Sequence, residues 1–152
     1  MKRGISCAAS GDGPQCLADC RVELVEQPLA EAHDAGLRAD EFLFHICADE
    51  SFREVEFLDH LDGRYDFINI KLDKIGGFTQ ALRAARIAKE CGVGVMVGCA
   101  VGSSLSIAPE VMVAQLATHA DLDDPLFLKE DVSPRLEYRE DVVCPPTSEL
   151  WG

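Results

Sequence analysis

Glu26, Asp49 and Lys71 each close a short apolar run, and they follow one another at intervals of 23 and 22 residues. Two further runs end in the glycine-rich loop that begins at Gly98 and in the acidic pair Asp121 and Asp123. Carboxylates delivered from separate strands are hard oxygen donors of the kind that Mg2+ takes. Lys71 follows Ile68 and Ile70 in an apolar run, an unusual place for a surface lysine. Plainer roles exist for each residue. Glu26 before Gln27-Pro28 can be a solvated strand end, Asp49 can cap a helix, and Asp121 with Asp123 can form a solvated acidic turn. Glu50 suits orienting a neighbour better than ligating a metal, and Lys74 lies one step outside the inner set, in the loop beyond Lys71.

These residues need a scaffold that brings strand ends together. Val22–Val25, Phe42–Ile46, Phe67–Ile70 and Val93–Val97 read as buried strands of a parallel sheet. Between them lie helical patterns: Phe52–Leu61 with Val55, Leu58 and Leu61 on one face, and Thr79–Cys91 with Thr79 as N-cap and Gly92 as stop. A third pattern spans Leu105–Thr118, with Pro109 in or near its first turn. Strand alternating with helix predicts βαβ units, and in such folds functional residues collect where the strands end. Five units are too few for a closed eight-stranded barrel and enough for an open doubly wound sheet, so periodicity leaves both open. Residues 1–20 show no clear period and are set apart from a folded portion over residues 21–152.

Composition narrows the partners. The formal net charge of −13 argues against nucleic acid and anionic membrane surfaces, which both need clustered cations. No apolar run approaches the roughly 20 residues of a membrane span. The basic start Met1-Lys2-Arg3 lacks a following apolar stretch, so a cytoplasmic location is expected. Seven cysteines, odd in number and scattered, predict free thiols rather than a disulfide framework. His33, His45, His60 and His119 show no ligand spacing. Gly76-Gly77 is read as a turn, because no Gly-Lys-Ser/Thr continuation follows.

The strings Val25-Glu26-Gln27-Pro28-Leu29, Ala48-Asp49-Glu50-Ser51 and Asn69 through Gly77 resemble successive strand-end motifs of the muconate-lactonizing-enzyme subgroup of the enolase superfamily. The resemblance runs from Val22 to the C-terminus, and it implies a partial (β/α) TIM-type barrel of about its last five βα units, without the capping domain. It implies Glu26 and Asp49 as two of three Mg2+ ligands, and Lys71 as one of two lysines that move an α-proton through an enediolate. A lysine base working beside a Mg2+-stabilised ene-diolate is the established chemistry of that superfamily. A cation on the substrate carboxylate stabilises the added charge, and an electropositive pocket is expected to lower the Lys71 pKa.

Asp121-Leu122-Asp123 is similar to the Asp-x-Asp by which dipeptide epimerases hold the substrate's α-ammonium. The implied activity is an isomerase acting on L-Ala-D/L-Glu-type dipeptides, with another enolase-superfamily reaction or a non-catalytic fragment as alternatives. The loop Gly98–Ser104 resembles that of the same group, and its N–H groups before a helix are placed to receive a carboxylate. The chain departs from many relatives at Ala100, Gly102 and Asp124. The lysine pair and the third metal aspartate of that family have no counterpart before Val22. A half barrel also presents two unpaired strand edges and a cut interior, from which aggregation or a homo-oligomer is expected.

Overall fold

A computed structural model describes residues 13–61 and 63–152. The expectations for residues 1–12, including Cys7, lie outside the described residues. A short helix, α1 (Gly13–Asp19), precedes the sheet, in a stretch where the sequence offered no period. Five parallel strands follow: β1 (Leu24–Glu26), β2 (His45–Ala48), β3 (Phe67–Ile70), β4 (Gly94–Gly98) and β5 (His119–Asp121). Their spatial order is their sequence order. A doubly wound sheet reverses direction at a switch point. Sequential parallel order without reversal is the winding of a barrel, and the five strands curl into a half-barrel. A small antiparallel ribbon, β6 (Tyr138–Arg139) with β7 (Val142–Val143), follows it.

Alternation along the strands separates two faces. Ile46, Ile68, Ile70, Val95 and Val97 point outward into the main core, where Ala81, Ala84, Ala85 and Ala88 of α3 (Phe78–Glu90) pack with them. Small alanines let α3 lie close on the sheet. Ile107 and Val111 of α4 (Ser104–Ala114) extend the same layer. Inward-facing Cys47, Phe67 and Met96 form a second, smaller cluster with Leu24 beside it. Phe67 is flanked by the His45 and His119 rings at centroid distances of 5.3 and 5.2 Å. Gly94 is required beneath it, since a Cβ there would lie 2.3 Å from the Phe67 ring.

Several element boundaries differ from the sequence expectation. The first, second and fourth strands begin later than expected, at Leu24, His45 and Gly94. Between β2 and β3 the chain forms a 3-10 helix, Val55–His60, rather than a longer α-helix. The apolar spacing explains this: Val55, Leu58 and Leu61 recur every third residue, which suits three residues per turn. α3 starts ahead of Thr79, with Gly77 as N-cap at φ 95°, because Gly76 (φ 91°) and Gly77 turn the chain out of the short helix α2 (Leu72–Ile75). Pro109 sits in the second turn of α4, not its first, and the helix ends at Ala114. The six described cysteines are free thiols. Among the described residues no helix is long and apolar enough to cross a membrane.

Candidate active site

The carboxyl ends of β1, β2 and β3 carry Glu26, Asp49 and Lys71 to one interior rim. Alternation aims all three inward: Leu24, Cys47 and Phe67 lie on the inner face, so Glu26 and Asp49 follow on that face, and Lys71 stands two residues beyond the inward Asn69. Lys71 Nζ lies 2.7 Å from Asp49 Oδ2 and 3.8 Å from Glu26 Oε1. Lys74 also donates to Asp49, through Oδ1 and through the backbone carbonyl at 2.8 Å. The sequence placed Lys74 in a loop outside the inner set. Lys74 lies in the short helix α2, whose turn folds it back over the end of β2 as a partner of Asp49.

Charge and burial set the protonation of this cluster. Burial raises the Glu26 pKa, and the neighbouring Asp49 adds to the rise against the hydrogen bond from Asn69. Burial works in the same direction on Asp49, but hydrogen bonds and charge from Lys71 and Lys74 outweigh it and hold that carboxyl below its ordinary value. The lowering expected at Lys71 depends on a bound divalent cation, and the protein's own groups act otherwise on its pKa. Desolvation pulls it down, while the bond to Asp49 and the charges of Asp49, Glu26 and Glu50 raise it overall. Glu50 itself is exposed, and Arg53 Nε donates to its backbone carbonyl.

Asp121 stands on the same rim. Ile70 pairs with Val97 and Gly98 pairs with Asp121, so the ends of β3, β4 and β5 are level. Gly98 carries no side chain because the Asn69 carboxamide occupies that space: a Cβ there would be 2.6 Å from Asn69 Nδ2. Asp123 is half-buried and begins the 3-10 helix Asp124–Phe127, in which Pro125 fixes the turn. Asp124 has a role the sequence did not suggest, accepting the Cys99 thiol at Oδ2 (3.0 Å); the same thiol reaches Asp121 O at 3.1 Å. Burial and the Asp124 carboxylate push the Cys99 thiol up to about 12.

The start of α4 receives a carboxylate, but the donor of that carboxylate is the chain itself. Asp131 accepts from Ser104 N at 2.9 Å and from Ser104 Oγ at 2.5 Å. An exogenous anion is therefore not needed to satisfy that helix terminus.

Sequence reasoning assigned no role to Asn69, Gln27 or Asp131. Asn69 was findable, since it precedes Lys71 by two residues in a strand and must share its face. Its Nδ2 donates to Glu26, and its Oδ1 is buried without a hydrogen-bond partner. Gln27 and Asp131 act across 22 and 27 residues, and nothing local announces them.

Glu26 and Asp49 fit part of a divalent cation site. Both are oxygen donors at the carboxyl ends of adjacent strands, and the orphaned Asn69 oxygen beside Glu26 adds an acceptor. Among the described residues no three carboxylate, histidine or cysteine side chains form a metal-holding group.

The family model described as "Enolase C-terminal domain-like" matches residues 13–148. An N-acetyl-D-glutamate racemase of Pseudoalteromonas sp is 41% identical over 138 residues, covering 91% of this chain and 44% of the relative. The L-Ala-D/L-Glu epimerase of Escherichia coli K12 is 42% identical over 124 residues, covering 82% and 39%. A crystal structure of an Agrobacterium tumefaciens enolase family member, with homology to dipeptide epimerases and with sodium and L-Ala-L-Glu bound, superimposes with a TM-score of 0.87 at 48% identity, covering 91% of this chain and 42% of that one. A dipeptide epimerase from Enterococcus faecalis, complexed with Mg and L-Leu-L-Tyr, gives a TM-score of 0.77 at 32% identity and covers 83% and 38%. The chain spans about two fifths of the length of these curated relatives.

Proposed function

Because the chain belongs to the enolase C-terminal domain-like family, we propose that it forms the proton-transfer side of a dipeptide epimerase site acting on L-Ala-D/L-Glu-type substrates. The observation that carries this reading is the convergence of Lys71 with Asp49 at 2.7 Å and Glu26 at 3.8 Å on one interior rim.

Lys71 Nζ takes the proton from the α-carbon of the dipeptide's C-terminal residue: the C–H bond breaks, the proton goes to nitrogen, and the electron pair moves toward the substrate carboxylate. Return of that proton from Lys71 restores the neutral amine and the starting configuration; inversion takes a proton delivered to the opposite face by the second lysine that the family resemblance implies, and leaves Lys71 as the ammonium until it releases its proton to solvent. Lys71 is held protonated by Asp49 in the present arrangement, so it serves as base when that carboxylate's charge is engaged elsewhere. Glu26 and Asp49 would hold Mg2+, which supplies charge stabilisation to the substrate carboxylate. Lys74 anchors Asp49, Glu50 adds negative charge at the rim, and Asp121 and Asp123 receive the substrate's α-ammonium.

Relatives in which dipeptides are bound or acted on support this substrate class. A racemase of N-acylated glutamate is the second reading, favoured by the 41% identity to such an enzyme. An acylated nitrogen carries no charge for Asp121 and Asp123 to pair with, so the two readings separate at those residues.

The test is incubation of the protein with Mg2+ and L-Ala-L-Glu, L-Ala-D-Glu or N-acetyl-D-glutamate in D2O, following the glutamyl α-proton by NMR. Exchange of a dipeptide that disappears in Lys71→Ala and falls in Asp121→Asn supports the first reading. Exchange of N-acetylglutamate that is indifferent to Asp121→Asn supports the second, and no exchange of any of the three rejects both for this chain.

A further inference from the structure

One polar side chain connects the end of β1, which carries Glu26, with the segment after β2 that carries Asp49. Gln27 follows Glu26 directly, and its backbone N–H continues the ladder to Cys47 O at 2.8 Å. Its φ of 41° lies in the left-handed region, which non-glycine residues adopt at some cost. That turn folds the carboxamide back over the end of β2. Its Oε1 accepts from Asp49 N at 2.8 Å and from Ser51 N at 3.2 Å. Its Nε2 lies 2.7 Å from Leu29 O, 2.8 Å from Ser51 Oγ and 3.1 Å from Tyr65 OH.

The orientation of this amide is dictated from behind. Ser51 Oγ and Tyr65 OH both donate to Asp34 Oδ2, at 2.6 and 2.7 Å. Each hydroxyl has a single hydrogen, and both are committed to Asp34, so their oxygens face Gln27 as acceptors. The amide nitrogen must point at them, which leaves the amide oxygen for the Asp49 and Ser51 N–H groups. Asp34 is only 4% exposed and is paired with Arg64 Nη1 at 3.2 Å. A buried anion thus fixes two hydroxyls, the hydroxyls fix one amide, and the amide fixes the backbone that carries Asp49.

We infer that Gln27, oriented by the Ser51–Tyr65–Asp34 network, is the positioning residue that sets Asp49 against Glu26 and Lys71. This rests on the proposed role of those three residues. Groups that hold a metal ligand in place from behind commonly matter nearly as much as the ligand, with losses of roughly 10- to 100-fold in metal affinity when they are removed.

The experiment compares the full chain with Gln27→Met, which keeps length and loses every polar contact, and with Tyr65→Phe, which keeps the ring and removes one acceptor. Amide hydrogen exchange is read at Asp49 and Ser51, with Ile46 and Ile68 as references, and the proximity of Asp49 to Lys71 is read by the NOE between Asp49 Hβ and Lys71 Hε. For Gln27→Met the expectation is exchange about tenfold faster at Asp49 and Ser51, as loss of one hydrogen bond implies, unchanged references, and a weakened Asp49–Lys71 NOE. Tyr65→Phe shifts the same readouts less, and carries the test alone should Gln27→Met not fold. Unchanged exchange at Asp49 and Ser51 overturns the inference. Faster exchange with an unchanged Asp49–Lys71 NOE also overturns it, because Gln27 is then structural only. Mn2+ binding by electron paramagnetic resonance is measured on the same samples: a parent chain that binds none counts against the metal reading, and the other two readouts still decide Gln27.

Discussion

Asn69 reaches Glu26 across an intervening strand, its Nδ2 donating to Glu26 Oε1 at 2.5 Å although β2 lies between β1 and β3. Alternate strands of a curled parallel sheet share one interior layer, which is what brings these two side chains together. The β2 residue paired with Glu26 is the small Cys47. The contact makes Asn69 part of the site and hands a packing constraint on to β4.

That constraint yields the first prediction. Gly98→Ala places a Cβ 2.6 Å from Asn69 Nδ2 and displaces the carboxamide from Glu26. Overpacking of this kind costs about 1–3 kcal/mol, to be measured by the urea midpoint. In an Asn69→Ala background the same change should cost distinctly less, since the atoms it meets are gone.

Glu110 of α4 predicts an unusual alkaline dependence of stability. It is 4% exposed, and burial first, then Asp73 and Asp124, raise its pKa to about 7, against a bond from Leu72 N and the charge of Lys71. Between its ordinary value and about 7 the folded chain holds a proton that the unfolded chain has lost. This contribution is therefore fully present below the ordinary carboxyl value and is lost as pH rises through about 7. The shift corresponds to ~3 kcal/mol. Glu110→Gln should flatten denaturation curves between acid and neutral pH, and should be more stable than the parent under mildly alkaline conditions.

Asp49 predicts the opposite slope at the acid end. Its pKa is lowered in the fold, so the unfolded chain binds more protons as pH falls through that range. Its stabilisation is present above the ordinary aspartate value and lost on acidification through the folded one. Asp49→Asn should remove that part of the acid limb of a melting-temperature profile. It should also lower the Lys71 pKa, seen in a titration followed by the Lys71 13Cε shift.

The N-terminus of α4 gives a purely structural test. Asp131→Ala leaves Ser104 N and Ser104 Oγ without their acceptor, and losing such a cap costs about 0.5–2 kcal/mol. The loss should appear in the thermal midpoint, with Asp131→Asn recovering most of it.

The strand rhythm and the polar residue at each strand end were legible in the sequence alone. Parallel strands buried on both faces leave long apolar runs, and a charged residue that closes such a run must lie at the rim. Glu26, Asp49, Lys71 and Asp121 were identified on that ground, and the structure brings the first three into contact and levels the fourth with them. The 3-10 geometry of Val55–His60 was also written there, as a spacing of three that an α-helical reading overlooked.

Other features depended on pairings distant in sequence. The direction of winding was undetermined until the strand order excluded a reversal, because alternation of strand and helix is common to both sheet types. Against desolvation, the Lys71 pKa is raised by the bond to Asp49, a neighbour only once β2 and β3 pair. Asn69, Gln27 and Asp131 found their partners 43, 22 and 27 positions away. Residue type and period determine which face a side chain takes, and that much is local; which oxygen meets which nitrogen is set by strand register and by the layers that curling creates, and only the folded chain possesses those.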